Sequence, residues 1–462
     1  MTSRRNFVLA AVLILALGAS GCSTISRFNP FKGKGDAKET ASEGQRISIL
    51  PPDQLLEPTE ALKGVDFALP APLVVAEWPL PGGNAEQSMG QVDSAPNLSI
   101  AWRRGFGQPS KGGFHVTAPP VAAGGRIYVM DANAGVSAHD AQSGAQIWRT
   151  NIMPSDNRRD REAFGGGLAF ADGKLYASSG YREVVQLDAA TGALGWRTRT
   201  EQPIHAAPTV VGGRVMVVSL DNVLLTFDAA TGAPGWNYQA LSESARILAA
   251  SSPAVSGDTV VASFGSGELV ALRTANGNDL WNEALSRASR TSALSEIRDI
   301  PGRPSIYQGD VFAVSHSGVF AATDLRTGQA RWSLPVVGIT TPLPAGDVVY
   351  VVSKAGEVIC VSRESGQIYW IRDLNKDFKA RRVGGFWGIG GHRQPKPIWS
   401  SPLLANNRLL MVGSTGELVS VNAKTGAVEK RMSLGAPALI DPIAVGNTVY
   451  VVTDTAQLIA LR

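Results

Sequence analysis

From residue 120 to the C-terminus the apolar positions fall in short β-rich runs separated by Gly, Asn, Asp or Pro, with no helical period between them. The stretch AAPTVVGGRVMVVSLDNVLLTFDAATGAPGWNY, residues 206–238, shows the grammar: four runs, Thr209–Val211, Arg214–Ser219, Val223–Asp228 and Pro234–Tyr238, divided by turn residues. Gly212-Gly213 between the first two is a two-residue hairpin turn that tolerates positive φ. Equivalent pairs stand at Gly124-Gly125, Asp172-Gly173, Gly257-Asp258, Gly309-Asp310, Gly346-Asp347, Asn406-Asn407 and Gly446-Asn447, which makes eight units. Most units open with a proline, at Pro120, Pro208, Pro253, Pro304, Pro342, Pro402 and Pro442, where a missing N–H costs little. The second, Gly167–Trp196, lacks it.

Between the third and fourth runs a phrase recurs: DAQSGAQIW (Asp140–Trp148), DAATGALGW (Asp188–Trp196) and DAATGAPGW (Asp228–Trp236). Weaker copies end at Trp281, Trp332, Trp370 and Lys430. The Asp carboxylate can accept backbone N–H groups two and three residues on, Thr or Ser assists, Gly supplies the left-handed residue, and Trp can fill the wedge between adjacent sheets. A self-similar unit of four antiparallel strands predicts an all-β chain, an eight-bladed β-propeller. The eighth unit stops at Arg462, before its fourth strand, while NLSIAWRRG (Asn97–Gly105) places Trp102 in phase with the other tryptophans. An N-terminal strand therefore completes the last blade and closes the ring. The propeller is expected over residues 96–462.

Fifty glycines, ten tryptophans and 18% charged residues agree with a turn-rich β domain. A net charge of +4 on 462 residues gives no reason to expect nucleic acid. The two cysteines, Cys22 and Cys360, form no disulfide framework, and Cys360 in EVICVS reads as a small buried apolar residue. Histidines 115, 139, 205, 316 and 392 lack ligand spacing, so no metal or other cofactor is expected.

The first 21 residues read as a signal peptide, with Arg4-Arg5, an apolar Phe7–Leu17 too short for a comfortable span, and small residues before Cys22. Ala-Ser-Gly-Cys resembles the bacterial lipobox, which implies a lipid on Cys22, with a plain signal peptide as the alternative; Ser3–Leu9 also resembles a twin-arginine signal. Ser23 after the cysteine, by the same resemblance, implies outer-membrane destination with the propeller in the periplasm. Residues 22–95 then read as a tether, flexible over Ser23–Arg46, followed by a Pro-rich arm over Ile47–Gly83 that lies on the propeller or on a partner.

The eight units resemble the pyrroloquinoline-quinone (PQQ) propeller repeat. With lipobox, tether, N-terminal closure and WPLPGGN at Trp78–Asn84, the chain resembles the BamB family of outer-membrane β-barrel assembly lipoproteins, in its alphaproteobacterial form. That resemblance implies a non-catalytic scaffold that binds the periplasmic domains of BamA and other assembly subunits and meets unfolded outer-membrane proteins. It implies contact residues in two inter-blade loops, Ala240–Ser252 and Leu285–Arg303, with Arg246, Leu248, Arg298, Asp299 and Arg303 as candidates. A quinoprotein dehydrogenase or a ligand-binding propeller is the alternative, although the adjacent cysteines of the dehydrogenases are missing here. A further departure, Asn375–Trp399, stretches the spacing at the seventh blade and interleaves basic and aromatic residues. Arg381, Arg382, Phe386, Trp387 and Arg393 form a candidate second binding hairpin for lipid head groups, an acidic partner or a lid, or a hairpin packed on the ring.

Overall fold

The computed structural model describes residues 56–113, 115–154, 163–242, 251–286, 298–380, 382–383 and 392–462. Each sequence unit is a four-stranded antiparallel sheet, and there are eight. Blades 1 to 7 are built from consecutive strands, as in blade 3: Thr209–Val211, Arg214–Val218, Val223–Asp228 and Pro234–Gln239. Blade 8 takes Ile443–Val445, Thr448–Val452 and Gln457–Leu461 from the C-terminus and Ile100–Gly105 from the other end of the chain. Ser99 and Arg462 exchange backbone hydrogen bonds at 2.8 and 2.9 Å to extend that seam. The fold is an eight-bladed β-propeller closed by an N-terminal strand.

Two local readings change. The fifth hairpin turn is Gln308-Gly309, with φ of 50° and 84°, and Asp310 opens the next strand, because Gln takes the first left-handed position. The segment at 375–399 lies in the connection from the fourth strand of blade 6, Ile368–Asp373, to the first strand of blade 7, Leu403–Ala405. In blade 2 a glycine pair replaces the opening proline: Gly166 has φ of 98°, and a Cβ on Gly167 would run into Ala207.

The repeated phrase is the joint between blades. In blade 3, Asp228 Oδ1 accepts from Thr231 Oγ1 at 2.7 Å, Thr231 N at 2.8 Å and Ala230 N at 3.1 Å. The hydroxyl and backbone donors hold this exposed carboxyl below the usual aspartate range, as they do Asp140, Asp188 and Asp324. The glycine of each phrase then lies on the tryptophan of the preceding blade. A Cβ on Gly192, Gly232 or Gly277 would come within 2.5 Å of the ring of Trp148, Trp196 or Trp236. Five of the indole N–H groups donate to a carbonyl of the next phrase: Trp148 to Ala189, Trp196 to Ala229, Trp236 to Thr274, Trp281 to Leu325 and Trp332 to Arg363, at 2.8–3.1 Å, whereas those of Trp102 and Trp370 are buried with no such acceptor. Within its own blade the indole meets an aromatic residue of the second strand, as in Tyr128–Trp148, Tyr176–Trp196, Phe312–Trp332, Tyr350–Trp370 and Tyr450–Trp102, with centroids 6.0–6.1 Å apart.

The core accordingly consists of clusters in the wedges between neighbouring blades. Tyr350, Cys360, Leu404, Leu409 and Met411, for example, fill the wedge between blades 6 and 7. Cys360 is fully buried, and burial raises its thiol well above the ordinary range.

Residues Gln54–Arg462 form one compact unit, so the described part of the arm belongs with the ring. The arm enters at the outer edge, where Thr59 N–H donates to Ile368 O of blade 6 at 2.8 Å. It then crosses the face of the first-strand hairpins and touches every blade. Ala68 O accepts from Asp347 (blade 6), Val75 O from Gly446 (blade 8), Pro79 O from Phe170 (blade 2), Ala85 O from Val255 (blade 4) and Glu86 O from Ile306 (blade 5). Trp78 and Ala122 of blade 1 exchange bonds at 2.7 and 2.9 Å, Gln87 Nε2 reaches Thr209 Oγ1 of blade 3 at 3.5 Å, and Val92 pairs with Leu404 and Asn406 of blade 7. The Gly82-Gly83 turn permits this path: a Cβ on Gly82 would strike Gln87, and Gly83 has φ of 88°. Of the two places open to the arm, propeller or partner, its described part occupies the first.

Candidate partner-binding face

Opposite the arm, the connections that lead from one blade to the next form the second face of the ring. Cys22, Arg246, Leu248, Arg381, Phe386 and Trp387 lie outside the described residues. At the edge of the first candidate loop, Leu241 is 66% exposed, while its backbone is held from below: its N–H donates to Glu268 Oε2 at 2.7 Å and its carbonyl accepts from Asn222 Nδ2 at 2.8 Å. A rigid polar base thus presents an apolar side chain to solvent. Exposed Val337, Ile398 and Leu439 stand on other connections of this face. Single apolar residues in loops have no periodic signal, and only the structure brings them to one side.

The second candidate loop divides. Arg298 is exposed, with its backbone against Gly267 of blade 4. Asp299, expected as a contact residue, is 1% exposed, and its carbonyl accepts the His316 N–H at 2.9 Å. Arg303, also expected at the surface, turns into the central channel instead. Gly302 makes this possible by passing so close to Thr340 that any Cβ there would collide with its carbonyl.

In the channel Arg303 closes a circuit that joins four blades. Its N–H donates to Thr341 Oγ1 at 3.2 Å, Thr341 N to Ser401 Oγ at 2.9 Å, and Ser401 N to Asp441 Oδ1 at 2.8 Å; Arg303 Nη2 then reaches Asp441 Oδ2 at 2.7 Å. The two side chains of the ion pair are only 14% and 19% exposed. This circuit separates the arm from a cavity of about 380 Å³ that is lined by His115, Thr117, His205, Ser252 and Asp454 as well. Burial raises the Asp454 carboxyl, opposed by nearby His115. Among the described residues no three His, Cys, Asp or Glu are placed to hold a metal, and the Arg303 charge is committed to Asp441.

At the remaining candidate hairpin, Arg382-Val383 pairs with His392-Arg393, and Arg393 is exposed. Among the described residues no helix is long and apolar enough to cross a membrane.

Eight four-stranded blades, seven of them carrying a phrase turn whose glycine lies on the tryptophan of the preceding blade, define a propeller of the PQQ-like repeat class. The family model described as outer membrane protein assembly factor BamB matches residues 93–158, 132–372 and 386–462, and the chain belongs to that family. The outer membrane protein assembly factor BamB of Moranella endobia is 23% identical over 404 residues, 87% of this chain and 97% of that protein. Among solved structures, BamB from Moraxella catarrhalis superposes with a TM-score of 0.64 at 18% identity, over 79% of this chain and 99% of that one. The quinohemoprotein alcohol dehydrogenase ADHIIG from Pseudomonas putida gives 0.62 at 13% identity, over 83% of this chain and 80% of its own. The similar scores show a shared ring and leave function to the sites.

Proposed function

We propose that this chain is a non-catalytic scaffold lipoprotein of the outer-membrane β-barrel assembly machinery, held through a lipid on Cys22 at the periplasmic face of the outer membrane. It binds the periplasmic domains of BamA through the inter-blade face and helps present unfolded outer-membrane proteins for insertion. Membership in the BamB family over the whole ring carries this reading. The face supplies a suitable surface: Leu241 and Arg298, exposed on the connections flanking blade 4, are an apolar and a guanidinium anchor of the kind that dominates small interfaces. Arg246 and Leu248 extend it by resemblance, whereas Asp299 and Arg303 contribute by shaping the loop and the channel beneath it.

The test is binding of the purified periplasmic part of BamA from the same organism. Wild type should bind at micromolar concentration or better, and Leu241→Glu with Arg298→Glu should weaken binding at least about 30-fold, from about 2 kcal/mol or more for a hot-spot residue. No binding by wild type sinks the function. Unchanged binding by the double variant sinks the assignment of the face.

A further inference from the structure

We propose that the rim of the ring at the outer strand of blade 6, Ile368–Asp373, rests on an anionic lipid surface, with Lys376, Lys379, Arg393 and Lys396 as the head-group contacts. Two unrelated features meet at this strand. At its first residue the arm joins the ring: Thr59 N–H donates to Ile368 O at 2.8 Å, and Ile368 N–H donates back to the Thr59 hydroxyl at 3.2 Å. Phe67 meets Tyr369 in a tilted arrangement with centroids 4.6 Å apart, and Lys424 of blade 7 holds Asp66 at 2.6 Å. At its last residue begins the long connection to blade 7. A strand of this length spans about 20 Å, so both features flank one narrow edge.

Charge is concentrated there. Residues 375–399 contain six basic residues and one acidic, a net +5, whereas the whole chain carries +4. Lys376, Lys379, Arg393 and Lys396 are exposed, and none is paired with a carboxylate among the described residues. The hairpin register sets Arg382 directly opposite Arg393.

The membrane is chosen over other anions because of where the chain enters, an argument that rests on the anchor proposed at Cys22. Thirty-three residues, 23–55, link that anchor to the entry at blade 6, and random coils of 33 residues have in general a root-mean-square span of about 30 Å. A linker of that number of residues is short enough to let the edge carrying the basic connection meet the bilayer, and an anchor plus a basic patch is the pairing that makes surface attachment stable.

Residues 54–462 contain all eight blades and the arm as one compact unit, so the test can omit the lipid. This protein should float with phosphatidylcholine vesicles containing phosphatidylglycerol and not with phosphatidylcholine alone. Changing Lys376, Lys379, Arg393 or Lys396 singly to alanine should weaken binding about fivefold, the equivalent of about 1 kcal/mol per basic side chain near an anionic surface. Reversing all four to glutamate should abolish it, while Arg103→Glu with Arg104→Glu, on the outer strand of blade 8, leaves it unchanged. Absence of vesicle binding, equal binding to neutral vesicles, or binding retained by a fourfold variant with a wild-type thermal melt overturns the proposal. So does a wild type that ignores vesicles while the four cations govern binding to an acidic protein. The BamA experiment reads different residues, on the connections flanking blade 4, and fails or succeeds independently.

Discussion

Every phrase glycine combines two demands, a left-handed backbone and contact with an indole, and the hairpin glycines make only the first. Gly232 has φ of 72° and would push a Cβ to within 2.5 Å of Trp196; Gly212 has φ of 57° with nothing within 4 Å. Gly212→Ala should therefore lower unfolding free energy by about 1–2 kcal/mol, the left-handed strain alone. Gly232→Ala should cost about 1–3 kcal/mol more, because the ring it meets is packed between blades. Paired denaturant melts measure the difference, and equal losses would show that the indole contact does not hold the joint. At this scale the turn chemistry was legible because an Asp, a Thr and a Gly act within a few residues of one another. Asp299 and Arg303 were not: their types suggested a surface loop, and their burial depends on how deeply Gly302 lets the chain enter a channel formed by other blades.

The eight blades were readable from the sequence because hairpin pairs and phrases repeat; the arm has no repeat, and its prolines left two destinations open. Its WPLPGGN segment carried a signal nonetheless, since Gly82-Gly83 followed by Gln87 marks a tight reversal with polar groups to satisfy. Trp78 is 4% exposed and Gln87 Nε2 donates to Pro253 O at 3.1 Å, so the arm is part of the core. Deleting residues 56–95 should strip hydrogen-exchange protection from Ala122, Phe170, Val255, Ile306, Asn406 and Gly446, which pair with the arm, while the second and third strands of each blade keep theirs. Trp78→Ala in the intact chain should cost about 3–5 kcal/mol. Unaltered exchange after deletion would mean that the arm only lies over the ring.

The whole ring is held across its axis as well as around its circumference. Arg303 and Asp441 belong to blades 5 and 8, and removing one partner leaves the other charge in the channel. Arg303→Met should destabilise by roughly 3 kcal/mol, and adding Asp441→Asn should restore part of the loss. A thermodynamic cycle over the two positions measures the coupling; strictly additive losses would remove the circuit from the account. The closure of the ring was legible in full, because a missing strand at one end and a spare tryptophan at the other complete each other. The circuit was not, since its four members stand far apart in sequence and meet only once the ring exists. The arm adds an order of events to this. Residues 56–92 are synthesised before any blade, yet their backbone partners come from blades at both ends of the chain, from Ala122 to Gly446. They can be completely seated only when the last blade is in place. The earliest part of the domain to be made thus needs the latest part for its full set of bonds, and a ring short of one blade has no complete seat for it, so a fully docked arm is a record that the count of blades came out right.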